Sequence, residues 1–385
     1  MILHRSTAWP LTWASVALIV YATLHPLSGW HWPPPGVLSW ALPKQRWETT
    51  SDLIGNLLGY MPLGGVLCLA LLRSGWRTWS AALMTWLACS GLSYGLELIQ
   101  FTLPGRVPSV SDWALNSLGA AWGILAAVTA QALGAVDWWH RWRERWFIPQ
   151  AGFGLALLWL WPLGLLFPPP LPLAQGQIWP TLQWLLIDWT AQTPLQAWFL
   201  PDGDVLGALI RLQWPELAAQ QQAVDQQTWW QPVRDTLIVT LGLLAPMSVA
   251  CALARPPALR LWLLAGGVVL GVLGSTVSMA MNYGPEHALA WVSLPALVGL
   301  LAGAVLGGLL LGRSRPMAAF LGLLVLAGLV VLVHQIPADP YYGQTLQAWE
   351  HGRFVRFHGL ARWFGLLWPY AAFVWLLGRL FGRSA

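Results

Sequence analysis

Charge is what this 385-residue chain has least of: only 9% of its residues are Asp, Glu, Lys or Arg, against roughly 25% in a soluble domain. A surface so poor in charge excludes an ordinary soluble protein. Despite a net charge of +5, no Lys/Arg run is long enough to track a phosphate backbone, so nucleic acid is excluded as a partner. Cysteine is scarce as well. Cys68, Cys89 and Cys251 sit singly in apolar runs without a C-x-x-C or a His at ligand spacing, so they read as packing residues, not as a disulfide or zinc framework. No metal and no cofactor are expected. The first apolar stretch, over 8–27, lacks a clear A-x-A site and is too long for a signal-peptide core of about 7 to 15 residues. It reads as a retained span.

What the chain has in abundance is apolar surface: 57% hydrophobic residues, a mean hydropathy of +0.56 and 30 Trp. Indole rings favour the membrane interface, where an apolar body and a polar N–H are both satisfied. Runs near the length of about 20 residues that crosses a bilayer fall at 8–27, 53–72, 80–101, 113–135, 150–167, 236–254, 261–281, 287–312, 317–334 and 363–380. The expectation is an all-α, polytopic membrane protein with about ten transmembrane helices. With the N-terminus inside, the inner segments hold 12 of the 20 Lys and Arg and two of the 15 acids. That balance obeys the positive-inside rule and places both termini in the cytoplasm.

The domain reading follows the spans. Residues 1–135 form an N-terminal transmembrane unit, 136–167 a basic inner loop and fifth span, and 168–234 an outer, Trp-rich segment lying along the membrane surface as short interfacial helices. Residues 235–312 form a second transmembrane unit. Residues 313–385 supply the last spans around an outer amphipathic segment, 335–362. There Arg353 and Arg356 sit among aromatic residues, which suits an interfacial anchor or an anionic headgroup site. His351 and His358 share a helical face in it, but two His without a third ligand make a weak metal site.

Seven polar residues interrupt the apolar pattern between residues 52 and 119: Asp52, Asn56, Glu97, Gln100, Arg106, Asp112 and Asn116. Under the expected topology Asn56, Glu97 and Asn116 each lie about one turn below the outer end of a different span. Three segments thus deliver polar groups to one depth, and a membrane helix rarely tolerates such groups unless they face a partner or a cavity. Arg106, in the short loop before the fourth span, can hold a carboxylate or a phosphate. Plainer explanations exist. Thr49-x-x-Asp52 and Ser109-x-x-Asp112 read as capping boxes, and the two Asn can simply bond neighbouring helices, at about 1 kcal/mol each. Neither capping nor solvation explains Glu97. Gly55 with Gly59, Gly91 with Gly95, and Gly119 with Gly123 form three GxxxG faces expected to bring helices close, and Pro62 should kink the second span.

The string Asp52-x3-Asn56-x3-Tyr60-x-Pro62-x-Gly64, then Glu97-x2-Gln100, then Arg106-x5-Asp112-x3-Asn116-x2-Gly119 resembles the VanZ-like family, over about residues 52–123. The resemblance implies a small bacterial helical membrane domain whose founding member is linked to teicoplanin resistance, with no established enzymatic activity and no proven catalytic residue. A degenerate, parallel second copy over about 235–302 is one reading of the remainder. Asp52 aligns with Asp235, Gly59 with Gly242 and Cys68 with Cys251, yet Asn56 falls on Val239 and Asn116 on Val292, so the polar layer is not repeated. Glu286 and His287 are minor candidates for extending the site.

Three function classes follow. The favoured one is a non-enzymatic protein of the inner membrane with an outward-facing pocket. Its ligand would be an amphiphilic envelope lipid, a lipid-linked glycan precursor or a glycopeptide, with a role in envelope or glycopeptide-antibiotic resistance. The second is an enzyme on a polyprenyl or other envelope lipid, for which no strong nucleophile or metal set is present. The third is a transporter, against which the shallow, one-sided polar layer argues. Membrane lipids are the expected partners.

Overall fold

A computed structural model describes residues 8–24, 30–33, 39–44, 50–103, 106–149, 151–190, 193, 230–336 and 355–381. Its regular elements are all helical. In chain order they are α1 (Ala8–Leu24), α2 (Thr50–Arg73), α3 (Thr78–Gln100), α4 (Val110–Ala132), α5 (Ala135–Trp146), α6 (Gly152–Gly164), α7 (Trp179–Trp189), α8 (Gln231–Leu253), α9 (Pro257–Tyr283), α10 (Leu294–Leu310), α11 (Arg315–Val333) and α12 (Val355–Phe381). Seven of them, α2, α3, α4, α8, α9, α11 and α12, are long and apolar enough to cross a membrane. The shorter apolar helices α1, α6 and α10 occupy the other three expected spans. At 1.5 Å per residue the 13 residues of α6 reach only about 20 Å.

The chain divides into two compact units, Met1–Arg143 and Glu144–Ala385. In the first, α2 packs on α4 most closely, with α1 and α3 completing the bundle around Tyr60, Leu63, Cys89, Leu96 and Ala120. Glycine makes the α2–α4 approach: a Cβ on Gly119 would strike the Leu57 carbonyl, one on Gly123 the Met61 carbonyl, and one on Gly64 the Ala120 backbone. Of the three expected GxxxG faces only Gly119/Gly123 packs this way. Gly55, Gly59, Gly91 and Gly95 have nothing within 4 Å of where a Cβ would lie, because they point away from the neighbouring backbones. Gly64 and Gly65, on the far side of α2, meet α4 instead.

In the second unit α8 is the axle. Every residue from Ile238 to Leu253 except Leu241 is buried, and α6, α9, α10, α11 and α12 pack around it. Its C-terminal end is fastened by Arg260, a buried guanidinium that donates to the carbonyls of Ala254 at 3.3 Å, Leu311 at 2.9 Å and Arg313 at 2.7 Å. These carbonyls lie just beyond α8 and α10, where the helix dipole favours positive charge.

The expectation of a surface-lying segment after residue 167 is corrected for its first part. Pro168, Leu173, Ala174, Gln175 and Gly176 are buried, and the non-helical run 168–178 turns into the bundle. Four prolines between 168 and 172 make this feasible, since each removes a backbone N–H that would otherwise need a partner. α7 is the amphipathic helix expected at 179–189. The Gln-rich piece at 215–229 and most of the amphipathic segment, including His351 and Arg353, lie outside the described residues, as do the side chains of Arg356 and His358.

Candidate functional site

The polar layer forms at one end of the first unit, where α2 begins, α3 ends and α4 begins. On α3, Ser90, Ser93, Glu97 and Gln100 are all buried, and their spacing of three, four and three residues puts them on one helical face. This face meets α4. Asn116 Nδ2 donates to Ser93 Oγ at 3.0 Å, the Ser117 hydroxyl donates to Ser90 Oγ at 2.9 Å, and Trp113 Nε1 donates to the same Ser90 Oγ at 3.0 Å. From α2, the buried Tyr60 phenol also reaches Ser93. The seam thus carries two side-chain hydrogen-bonded clusters, one on Ser93 and one on Ser90, within an apolar bundle.

Glu97 closes the seam at its upper end. Its side chain is 3% exposed, and Oε2 accepts the backbone N–H of Ser109 at 2.9 Å. Ser109 is the N-cap of α4, its own Oγ accepting from Ser111 N at 3.1 Å. The expected capping box would have Asp112 reach back to the Ser109 amide. Instead Glu97, from the neighbouring helix, accepts that N–H, so the carboxylate lies at the positive end of the α4 dipole. Asp112 Oδ1 accepts from Asn56 Nδ2 at 2.6 Å, tying the first turn of α4 to the second turn of α2.

The layer therefore separates by depth. Glu97, Gln100 and Asn116 are buried, whereas Asn56, Arg106 and Asp112 are half-buried. Arg106 lies three residues before Ser109, in the loop that returns from α3 to α4, with its backbone N–H donating to Leu103 O at 3.4 Å. Asp52 lies in the first turn of α2, but its side chain is outside the described residues. Glu286 and His287 stand apart, in a 3₁₀ turn of the second unit, largely exposed and 3.9 Å from each other.

A cover over this end was not foreseen. The chain between α1 and α2 is pinned to it at three points: His31 N donates to Thr102 O at 3.0 Å, Tyr94 Oη donates to Trp40 O, and Val110 N donates to Pro43 O at 3.0 Å. On this cover Trp32 and Trp40 are more than 80% exposed, as suits rings in an interfacial belt. Sequence reasoning also missed Ser90, Ser93 and Ser117, although the Ser-x2-Ser-x3-Glu-x2-Gln spacing on α3 carried the signal. Among the described residues no group of three His, Cys, Asp or Glu could hold a metal ion.

Residues 11–133 match the VanZ/LLP1 family. The match takes in about a third of the chain, from within α1 to the end of α4, and so includes the cover and the whole polar layer. It is wider than the motif string, which starts only at Asp52. Comparison with curated proteins and with solved structures gives no match. The first unit therefore carries a VanZ-like segment, and the second unit lies beyond it.

Proposed function

We propose that the first unit binds the polar headgroup of a membrane amphiphile: an envelope lipid, a lipid-linked glycan precursor or a glycopeptide. The observation that carries this reading is the separation of the polar layer into a buried frame and a half-buried rim at one end of the bundle. Glu97, Asn116, Ser90, Ser93 and Ser117 spend their hydrogen bonds on the frame. Asn56 and Asp112, which bond to each other, and Arg106 form the half-buried rim, where a headgroup's hydroxyls or phosphate would engage an amide, a carboxylate and a guanidinium alongside their present contacts. The exposed Trp residues of the cover supply surface for the acyl or polyprenyl part.

Charge asymmetry supports an arrangement with both termini inside and the rim on the outer face of the bacterial cytoplasmic membrane. There it would meet envelope precursors and glycopeptides, and a role in envelope or glycopeptide-antibiotic resistance is part of the proposal. Glu97, engaged by an amide at a helix N-terminus, acts as a frame group rather than as a general acid, which favours binding over turnover.

Mass spectrometry of lipids retained by the gently purified full chain tests this. A specific lipid is expected with wild type and is lost with Arg106→Ala and with Asn56→Leu, both verified as folded. If all three carry the same bulk lipids, headgroup binding at this rim is wrong.

A further inference from the structure

We infer that the re-entrant loop 168–178 of the second unit, at the C-terminal end of α6, forms a binding site for a small monovalent cation such as sodium. The inference is independent of the headgroup reading for the first unit.

The depth of the loop is fixed by what it touches. A Cβ on Gly242, the middle residue of α8, would lie 2.6 Å from the Leu173 carbonyl oxygen, and one on Gly271, at the middle of α9, 3.2 Å from the Leu173 side chain. A Cβ on Gly176 would lie 2.9 Å from Pro369, at the middle of α12, and the Tyr370 phenol donates to Gly176 O at 2.9 Å. The loop tip thus sits at the half-height of three membrane-length helices. Non-helical backbone is tolerated at that depth only inside protein or beside a polar cavity. The tip is held in left-handed conformations, Leu173 at φ 64° and Gly176 at φ 101°. The first is costly for a residue with a side chain, so the surroundings over-determine it.

Gln175 stands at this tip and is 3% exposed. Its Nε2 donates to Trp161 O in the last turn of α6 at 2.9 Å, which fixes the amide orientation, while its Oε1 is buried and has no hydrogen-bond partner. Flipping the amide would only set two oxygens against each other. An orphan acceptor here is a cost of about 1 to 3 kcal/mol that a native structure rarely leaves unmet. A second orphan, Asn282 Oδ1, lies in the last turn of α9, away from the tip, its Nδ2 donating to Ser278 O at 2.7 Å and to Leu166 O at 3.3 Å. Gln175 thus spends its donor on a carbonyl at the end of α6 and leaves its oxygen bare at the loop tip. A helix that ends inside the membrane, presenting its negative end, unwound carbonyls and an amide oxygen, is the arrangement by which membrane proteins hold Na⁺ without a full charge. A divalent ion would need carboxylates, and the described residues contain no group of three His, Cys, Asp or Glu to serve it.

The test uses the full chain in lipid nanodiscs, with radioactive sodium and scintillation proximity. Wild type should bind sodium saturably, displaced by unlabelled sodium but not by choline, and Gln175→Leu should lose that binding. No saturable binding by wild type, or unchanged affinity in folded Gln175→Leu, overturns the inference and leaves the orphan oxygen to a water. Should Gln175→Leu not fold, Gln175→Asn, which keeps both amide groups but shifts them, replaces it. Weakened sodium affinity then supports the site and unaltered affinity overturns it.

Discussion

Gly123→Ala probes the α2–α4 contact on which the first unit is built. A Cβ at residue 123 would press on the Met61 carbonyl and lie 2.7 Å from the Gly65 nitrogen. Ordinary contacts run to about 3.5 Å, so the helices must part by at least about 0.8 Å, and by more at the closer Met61 carbonyl. Both opposing atoms are backbone, and no rotamer change relieves them. Parting the helices also loosens the Gly119–Leu57 and Gly64–Ala120 contacts, so the cost belongs at the upper end of the overpacking range, about 3 kcal/mol. Gly59→Ala is the control. The same methyl there meets nothing within 4 Å, and the higher helix propensity of Ala favours it by up to about 1 kcal/mol. Detergent-denaturant titrations followed by Trp fluorescence should therefore move the two midpoints in opposite directions. If the two variants unfold at the same midpoint, α2 and α4 do not approach as described.

Two further substitutions test the polar fastenings. Glu97→Leu leaves the Ser109 N–H without its acceptor in a buried site, at about 1 to 3 kcal/mol, while Glu97→Gln keeps an acceptor oxygen and should cost less. Equal midpoints for the two would show that Glu97 does not cap α4. Arg260→Met strips donors from three main-chain carbonyls at about 1 kcal/mol each, so about 3 kcal/mol is expected, with Arg260→Lys intermediate because its point charge cannot reproduce the fork. A thermal melt of Arg260→Met that matches wild type would refute that fastening.

The helices were legible because apolar runs of membrane length have few other uses: seven of the ten expected runs coincide with helices long and apolar enough to cross a membrane, and the other three with shorter apolar helices. Glycine faces were not. The i, i+4 spacing says that two glycines share a side, but not whether that side meets a backbone, and Gly55/Gly59 lost that role to Gly64/Gly65. In sequence the loop at 168–178 is a Pro-rich stretch leading into a Trp-rich amphipathic one, which reads as a segment along the membrane surface. Its burial depends on glycines placed far off in sequence, Gly242 and Gly271, and only the packed structure brings them to Leu173. The polar layer was legible in its carboxylates and amides. Its serines were not, since a single hydroxyl in an apolar helix is a weak signal until its partner on α4 is known.

The two units handle buried polarity in opposite ways. In the first, side chains are paired with side chains: Asn56 with Asp112, Asn116 with Ser93, Ser117 and Trp113 with Ser90. These pairs are closed within the unit, although the Thr85 hydroxyl on α3 is buried there without a hydrogen-bond partner. In the second, buried and half-buried side chains give their donors to main-chain carbonyls: Arg260 to those beyond α8 and α10, Gln175 to one at the end of α6, Asn282 to Ser278 and Leu166, and Gln177 to the Val333 and Ile336 carbonyls at the end of α11. An amide used this way satisfies one oxygen and presents another, so the acceptor excess is moved without being removed. Beyond α8 and α10, a guanidinium with five donors and no acceptor ends the chain of transfers. At the loop tip no such cation is built in, and that imbalance is the reason to look for one arriving from outside.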